Sequence, residues 1–195
     1  MHSLLYQFAT RCVKERIIDP QELEWLIYGL ERRVTTIITS ILFLLIGIYL
    51  ANLRSVFAFI ISFYFLRVRT NGYHANSFAT CLCFSIIQEI ILLKLILPIL
   101  STTSLILLNF FGFIIIFRFA PFASHNMHLD AEEFTICKRS SRVRISTLCT
   151  VSIMLYIFGS VDASKGITLG ITLTALLLII AYIKEKYIPG FVKKG

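Results

Sequence analysis

The sequence predicts an all-α integral membrane protein of about six transmembrane helices. Of its 195 residues, 57% are hydrophobic and 15% are charged, and the mean hydropathy is +0.81. This composition lies outside the range of ordinary soluble domains. Apolar runs recur along the whole chain, with no internal repeat and no low-complexity linker. We therefore expect residues 1–195 to form a single helical membrane domain.

Six apolar runs approach the length of a spanning helix, which is about 20 residues. Several are shorter and must include polar residues at their ends, and the run that begins at Ser55 is the weakest. Totals from four to seven spans would also agree with the pattern. The runs are Val34–Leu50, Ser55–Leu66, Leu82–Leu100, Ser104–Phe119, Ile145–Gly159 and Ile167–Ile183.

Positive charge is distributed unequally along the chain. If both termini are cytoplasmic, all of the 19 Lys and Arg residues except Arg54, Lys94 and Lys165 fall in cytoplasmic segments. The positive-inside rule therefore predicts an even number of spans with cytoplasmic ends. The net charge of +8 suits anionic membrane lipids and would also suit an acidic peptide. We expect no nucleic-acid partner.

The first 33 residues lack the uninterrupted apolar core of a signal peptide. One predicted helix carries apolar and polar residues on opposite faces, as a helix lying in the membrane interface does. A second helix is predicted to start at Asp19, a good N-cap, with Pro20 at its first position. Residues 1–33 are therefore interpreted as amphipathic interfacial helices and residues 34–195 as the transmembrane bundle. The alternative for residues 1–33 is a docking surface for a membrane-bound partner. The apolar face has Leu5, Phe8, Ala9 and Cys12, and the polar face has Gln7, Arg11 and Lys14.

The stretch "LRVRTNGYHANSFATCLC" places His74 seven residues before Cys81. Five cysteines, an odd number, in a chain with cytoplasmic loops do not indicate a disulfide framework. A metal site needs several converging ligands, and Cys83 alone adds little to this pair. His125 and His128 form a second weak pair that a polar loop explains. We therefore predict neither metal nor cofactor, and the remaining chemistry is a cysteine nucleophile activated by histidine.

Helical spacing selects Cys81 over Cys83 as the candidate nucleophile. Seven residues rotate a helix by roughly 700°, which puts His74 and Cys81 on one face, about 10.5 Å apart along the axis, with Cys83 opposite. That separation exceeds hydrogen-bond reach. We therefore predict a break or re-entrant segment after Gly72 that returns His74 to Cys81 near the start of a helix. Asn71, Gly72, Asn76 and Ser77 favour such turns and caps.

A third group is needed to orient the histidine, and several residues qualify. Glu89 draws most interest, because an ionisable residue inside a span is costly and usually has a reason. Its alternatives are a partner for Lys94 or a group facing a wet cavity. The eligible residues are Gln88, Glu89, Asn71 and Asn76.

The stretch "RVRTNGYHANSFATC" resembles the accessory gene regulator B (AgrB) family, bacterial membrane proteases that process quorum-sensing peptides. Arg67, Gly72, His74 and Cys81 stand in that family's arrangement. The polar stretch Phe119–Arg142 resembles the family's cytoplasmic loop, and the early "YGLE" also agrees. One departure is the single glycine in "NGYH", where many members have two.

The resemblance implies that Cys81 and His74 are the catalytic pair of a multi-pass protein of the bacterial plasma membrane. The cysteine would cleave a short AgrD-like precursor near its C-terminus and hold the remainder as a thioester. An internal Cys or Ser of the peptide would then close a thiolactone or lactone ring. The resemblance also suggests a homodimer and a place in virulence regulation, although nothing in the residues requires a dimer.

Charge alone suggests which groups hold the precursor. The basic residues Arg67, Arg69, Lys138 and Arg139 are expected to bind an acidic tail, while the N-terminal helices receive an amphipathic leader. Two other classes stay open. A transporter would use Glu89, Lys94 and the polar patch Ser101–Ser104 along a path, and a scaffold would leave His74 and Cys81 without a catalytic role.

Overall fold

The computed structural model describes residues 2–15, 19, 23–70, 78–122 and 131–187, and it confirms the all-α fold for them. Within these residues no strand occurs. Their contacts form two units, Met1–Phe43 and Leu44–Gly195. The helices are α1 (His2–Lys14), α2 (Leu23–Leu50), α3 (Leu53–Thr70), α4 (Phe78–Ile90), a π-helical segment (Ile91–Ile96), α5 (Leu97–Ile99), α6 (Thr102–Phe119), α7 (Ala131–Ile157) and α8 (Val161–Tyr187).

The N-terminal unit contains α1 and the first part of α2. On the predicted apolar face of α1, Ala9 is buried and Cys12 half-buried, but Phe8 is exposed. On the opposite face, Arg11 is exposed and forms an ion pair with Glu15 at 3.6 Å. Helix α2 passes without interruption through residue 34, where the sequence predicts a change from interfacial to spanning residues. The division at residue 34 stays a prediction.

Three helices are long and apolar enough to cross a membrane: Leu82–Ile99, Thr102–Phe119 and Val161–Lys186. They coincide with three of the six predicted runs. Among the described residues, Ile37–Leu50 is apolar but shorter. The runs from Ser55 and Ile145 lie in α3 and α7, whose charged ends leave apolar segments shorter than a full span. The protein is a helical membrane protein, and the count of six spans stays a prediction.

Several polar side chains of the protein cap the ends of helices. Asn52 caps α3, since its side chain accepts from the N–H of Arg54 at 3.0 Å. Ser101 and Ser104 form a capping box at the start of α6. The polar patch considered above as part of a transport path therefore serves as a helix cap. Gly159, at φ +82°, ends α7 in the left-handed conformation that glycine adopts without strain.

Helix α8 lies at the centre of the second unit. Two thirds of its spanning residues are buried, against 22% for each of the other two long apolar helices. Gly166 and Gly170, one turn apart, face α3 so closely that an added Cβ would overlap the Ser55 carbonyl oxygen and the Ser62 hydroxyl. This is the small-residue contact by which membrane helices approach each other.

Buried hydroxyls connect α8 to α6 and α7. Asn109 donates its Nδ2–H to the Thr168 hydroxyl at 2.7 Å, and the Ser164 hydroxyl donates to the Ser152 carbonyl at 2.8 Å. Because hydrocarbon offers no alternative partner, such bonds link membrane helices. Contacts between helix ends show that α3, α6 and α8 run in one direction and that α7 runs in the opposite direction. The C-terminal ends of α3, α6 and α8 therefore lie near the N-terminal half of α7.

Candidate functional site

The last turn of α3 is held from two sides, directly before the segment that carries His74. The carbonyl of Arg69 accepts from the Ser141 hydroxyl of α7 at 2.9 Å. The carbonyl of Thr70 accepts from the N–H of Phe122 at 3.0 Å, and Phe122 directly follows the cis peptide bond between Ala120 and Pro121. The final carbonyls of a helix have no partner within it. These two bonds supply partners and determine where the chain leaves α3.

Positive charge collects around this end of α3. Arg69 Nη1 lies 3.9 Å from Cys137 Sγ on α7, and Arg144 Nη1 donates to the Phe65 carbonyl at 2.5 Å. Burial, followed by repulsion from Arg69, lowers the pKa of the Arg144 guanidinium below its usual value. The two guanidinium groups therefore repel each other.

Two buried polar atoms at this place have no hydrogen-bond partner among the described residues. They are Arg69 Nε and the hydroxyl of Thr70, a residue with no exposed surface. A buried polar group without a partner costs about 1–3 kcal/mol, so such groups usually meet a ligand or water. The end of α3 thus offers donors and positive charge to an anionic group.

Cys81 is the fourth residue of α4, in the first turn of the helix. The placement of its side chain lies outside what the structure describes, as do His74, Gly72 and the predicted bend from Asn71 to Ser77. Cys83, the sulfur that helical spacing excludes, is exposed. The catalytic pair therefore stays a prediction, with the backbone of Cys81 located at the N-terminal end of the helix.

Glu89 lies eight residues beyond Cys81 on α4, fully buried. A Cβ added to Gly47 would lie 3.2 Å from Glu89 Oε1 and 2.5 Å from Val56 Cγ1, so Glu89 packs against α2 and the first turn of α3. Val56 precedes Thr70 by 14 residues, about 21 Å along the helix. Neither carboxyl oxygen of Glu89 has a hydrogen-bond partner among the described residues. Lys94, considered above as its partner, is exposed and forms no described ion pair with it.

The remaining predicted site residues lie on three helices. Arg67 is half-buried on α3 and Gln88 half-buried on α4, while α7 carries the half-buried Lys138 and the exposed Arg139. Sequence reasoning did not single out Cys137, Ser141 or Arg144 as a group. Their spacing of four and three residues places them on one face of α7, which is the signal that would have found them.

Comparison with known proteins identifies the family of the chain. The family model described as accessory gene regulator B matches residues 5–181 of the chain. The chain belongs to the AgrB family. No curated protein and no solved structure shows a significant match. AgrB membership associates the chain with the processing of quorum-sensing peptides and implies an AgrD-like peptide substrate.

Proposed function

We propose that this AgrB protein is a cysteine endopeptidase that removes the C-terminal tail of a short precursor peptide and cyclises the remainder. The observation that carries the proposal is the family match over residues 5–181, a range that includes His74 and Cys81. The helical start of α4 supports it, because the N-terminus of a helix favours a thiolate and a developing oxyanion. Arg67, Gly72, Gln88 and Glu89 are supporting candidates of the same proposal.

The first half of the reaction transfers the peptide to the enzyme. His74 takes the proton of the Cys81 thiol, and the sulfur attacks the carbonyl carbon of the scissile bond. The C–N bond breaks as the imidazolium gives its proton to the leaving amine, and the tail departs. The remaining peptide is held as a thioester on Cys81.

The second half closes the ring. His74 takes the proton of an internal thiol or hydroxyl of the peptide, whose sulfur or oxygen attacks the thioester carbonyl. The bond to Cys81 Sγ breaks, and the thiolate regains a proton from the imidazolium. Hydrolysis would lose the acyl-transfer energy of the thioester, so a site that limits access of water favours cyclisation.

The basic end of α3 supports binding of an acidic tail. Among the described residues, no carboxylate forms an ion pair with Arg69, and Arg69 Nε and the Thr70 hydroxyl have no hydrogen-bond partner there. A carboxylate of the peptide would accept hydrogen bonds from these donors. Lys138 and Arg139 extend the same charge along α7.

Co-expression with an AgrD-like precursor tests the proposal, with loss of the C-terminal tail followed by mass spectrometry. Cys81→Ser and His74→Ala are each expected to abolish cleavage. Cys83→Ala is the matched control and is expected to process normally. Full processing by Cys81→Ser would end the peptidase proposal, and loss of processing in Cys83→Ala alone would move the nucleophile to Cys83.

The same assay tests the role of Arg69. Arg69→Gln is expected to slow cleavage by about ten- to a hundredfold, because one charge-assisted hydrogen bond contributes roughly 1.5–3 kcal/mol. A precursor whose tail carboxylates are replaced by amides should show a much smaller difference between the wild type and Arg69→Gln. An equal slowing with both peptides would assign Arg69 a purely structural role.

A further inference from the structure

Three arginines at one end of the second unit each lie over a phenylalanine ring. The guanidinium carbon is 4.5 Å from the ring centroid for Arg144 on Phe65, 4.6 Å for Arg142 on Phe117 and 6.0 Å for Arg118 on Phe119. The three rings are 39%, 37% and 44% exposed, so each pair lies at the outer surface of the bundle. We call these residues the arginine belt: Arg118, Arg142, Arg144, Phe65, Phe117 and Phe119.

Helix geometry explains how α7 forms the middle of the belt. Arg142 and Arg144 are about 200° apart around the axis of α7 and lie on opposite sides of Val143, which is 59% exposed. Arg142 therefore reaches α6, and Arg144 reaches α3. Arg142 Nε donates to the Phe117 carbonyl at 3.4 Å; that carbonyl lacks its usual helical partner because Pro121 has no N–H. Arg144 donates to the Phe65 carbonyl. A guanidinium has five N–H donors, so these single bonds leave donors on both arginines for another acceptor.

The surface on one side of the belt is suited to hydrocarbon. On α3, Ile61 and Phe57 continue the face of Phe65 at spacings of four and eight residues, and both are exposed. On α7, the exposed hydroxyls of Ser146, Thr147 and Thr150 each donate to a carbonyl of their own helix, four residues earlier, and so need no water. The other exposed apolar residues on this side include Phe110, Ile114, Val151 and Met154.

The surface on the other side of the belt is charged. Towards its N-terminus, α7 carries the exposed Arg139, Glu133 and Glu132. The belt therefore lies where an apolar surface changes to a charged one, which is the level of lipid headgroups. Within the described part of the chain, none of its three arginines forms an ion pair with a carboxylate.

We infer that the arginine belt is a binding site for anionic phospholipids. Headgroup phosphates accept hydrogen bonds from Arg118, Arg142 and Arg144, and acyl chains lie along the exposed apolar residues of α3, α6 and α7. Arginine binds phosphate better than lysine does, because the planar guanidinium can donate two parallel hydrogen bonds to a phosphate while its face remains packed on the phenylalanine ring. An acidic peptide fits this surface less well, since the belt lies beside exposed apolar residues, along which acyl chains can lie. The inference does not depend on the proposed catalysis.

The test measures which lipids the full-length protein retains in nanodiscs made from equal parts of phosphatidylglycerol and phosphatidylcholine. The wild type is expected to enrich phosphatidylglycerol. Arg118→Gln/Arg142→Gln/Arg144→Gln should lose that enrichment. The matched control removes the same number of positive charges away from the belt, Arg54→Gln/Lys94→Gln/Lys165→Gln, and should keep it. Equal enrichment in the belt variant, or an equal loss in the control, would overturn the inference.

A second variant separates lipid binding from folding, because Arg142 and Arg144 also brace α7. Arg118→Gln removes a side chain whose described interactions are with the Phe119 ring and, electrostatically, with the exposed Tyr182, so helicity and gel-filtration behaviour should not change. Its affinity for phosphatidylglycerol is expected to fall about fivefold, the effect of one basic residue near an anionic surface. An unchanged affinity would contradict the inference. Displacement of the bound phosphatidylglycerol by a soluble glutamate-rich peptide would assign the belt to an acidic peptide instead.

Discussion

At the scale of single residues, the carboxyl of Glu89 packs against α2 at Gly47, where the absence of a side chain leaves room for it. Glu89 is fully buried in a membrane helix and meets the backbone of α2 at a position where a Cβ would be too close to Val56 Cγ1. A charged carboxylate without a partner is costly in such surroundings. We therefore interpret the contact as packing of a neutral group against a glycine notch.

Substitutions at these two positions are predicted to differ. Gly47→Ala should lower the free energy of unfolding by about 1–3 kcal/mol, because the added methyl group overpacks the contact with Val56. Glu89→Gln preserves volume and neutrality and should change the thermal unfolding midpoint little. The measurement is thermal unfolding in detergent, combined with the precursor assay. If Glu89→Gln keeps its stability but loses activity, Glu89 supports the catalytic pair rather than packing.

At the scale of helices, the α3–α8 contact depends on small residues. Gly166 and Gly170 bring the backbone of α8 against Ser55 and Ser62, and the leucine and phenylalanine core on both sides assembles around that contact. Sequence analysis predicted the run Ile167–Ile183 as a span without assigning a role to either glycine.

Gly170→Ala is predicted to destabilise the bundle by about 1–3 kcal/mol, because the methyl group overlaps the Ser62 hydroxyl and lies 3.0 Å from the backbone atoms Phe59 O and Phe63 N. Leu176→Phe is the control, since it adds volume at an exposed position of the same helix and should change stability by less than about 0.5 kcal/mol. Thermal unfolding in detergent measures both. Equal unfolding midpoints for the two variants would show that the close approach of α3 and α8 is not needed for stability.

At the scale of the whole molecule, charge distinguishes the two ends of the second unit. Basic residues lie mostly at one end, which is formed by the C-terminal ends of α3, α6 and α8 and the N-terminal half of α7. The opposite end carries Arg54 and Lys165, together with Asp162. The positive-inside rule therefore predicts that the basic end, with Cys81 near it in sequence, faces the cytoplasm.

Reporter cysteines in a cysteine-free background test this orientation. Thr103→Cys lies at the start of α6, and Glu132→Cys lies in the first turn of α7; both positions are exposed. A membrane-impermeant maleimide should label Thr103→Cys in intact cells and Glu132→Cys only after permeabilisation. The reverse pattern would invert the proposed topology.

The sequence by itself determined the helical class, the locations of three candidate spans and the family. These depend on local properties: the length of an apolar run, the residues that cap a helix, and the spacing of a short motif. The predicted run Leu82–Leu100 and the candidate span Leu82–Ile99 of the structure agree closely for this reason.

Only the tertiary structure decided which distant residues meet. It joined Arg69 to Cys137, Ser141 and Arg144, packed Glu89 against Gly47 rather than Lys94, and brought three arginines over three rings. These partners are separated by up to 79 positions, as Phe65 and Arg144 are. Helix packing sets such contacts, since the rotation of each helix depends on the shapes of its neighbours and not on its own periodicity.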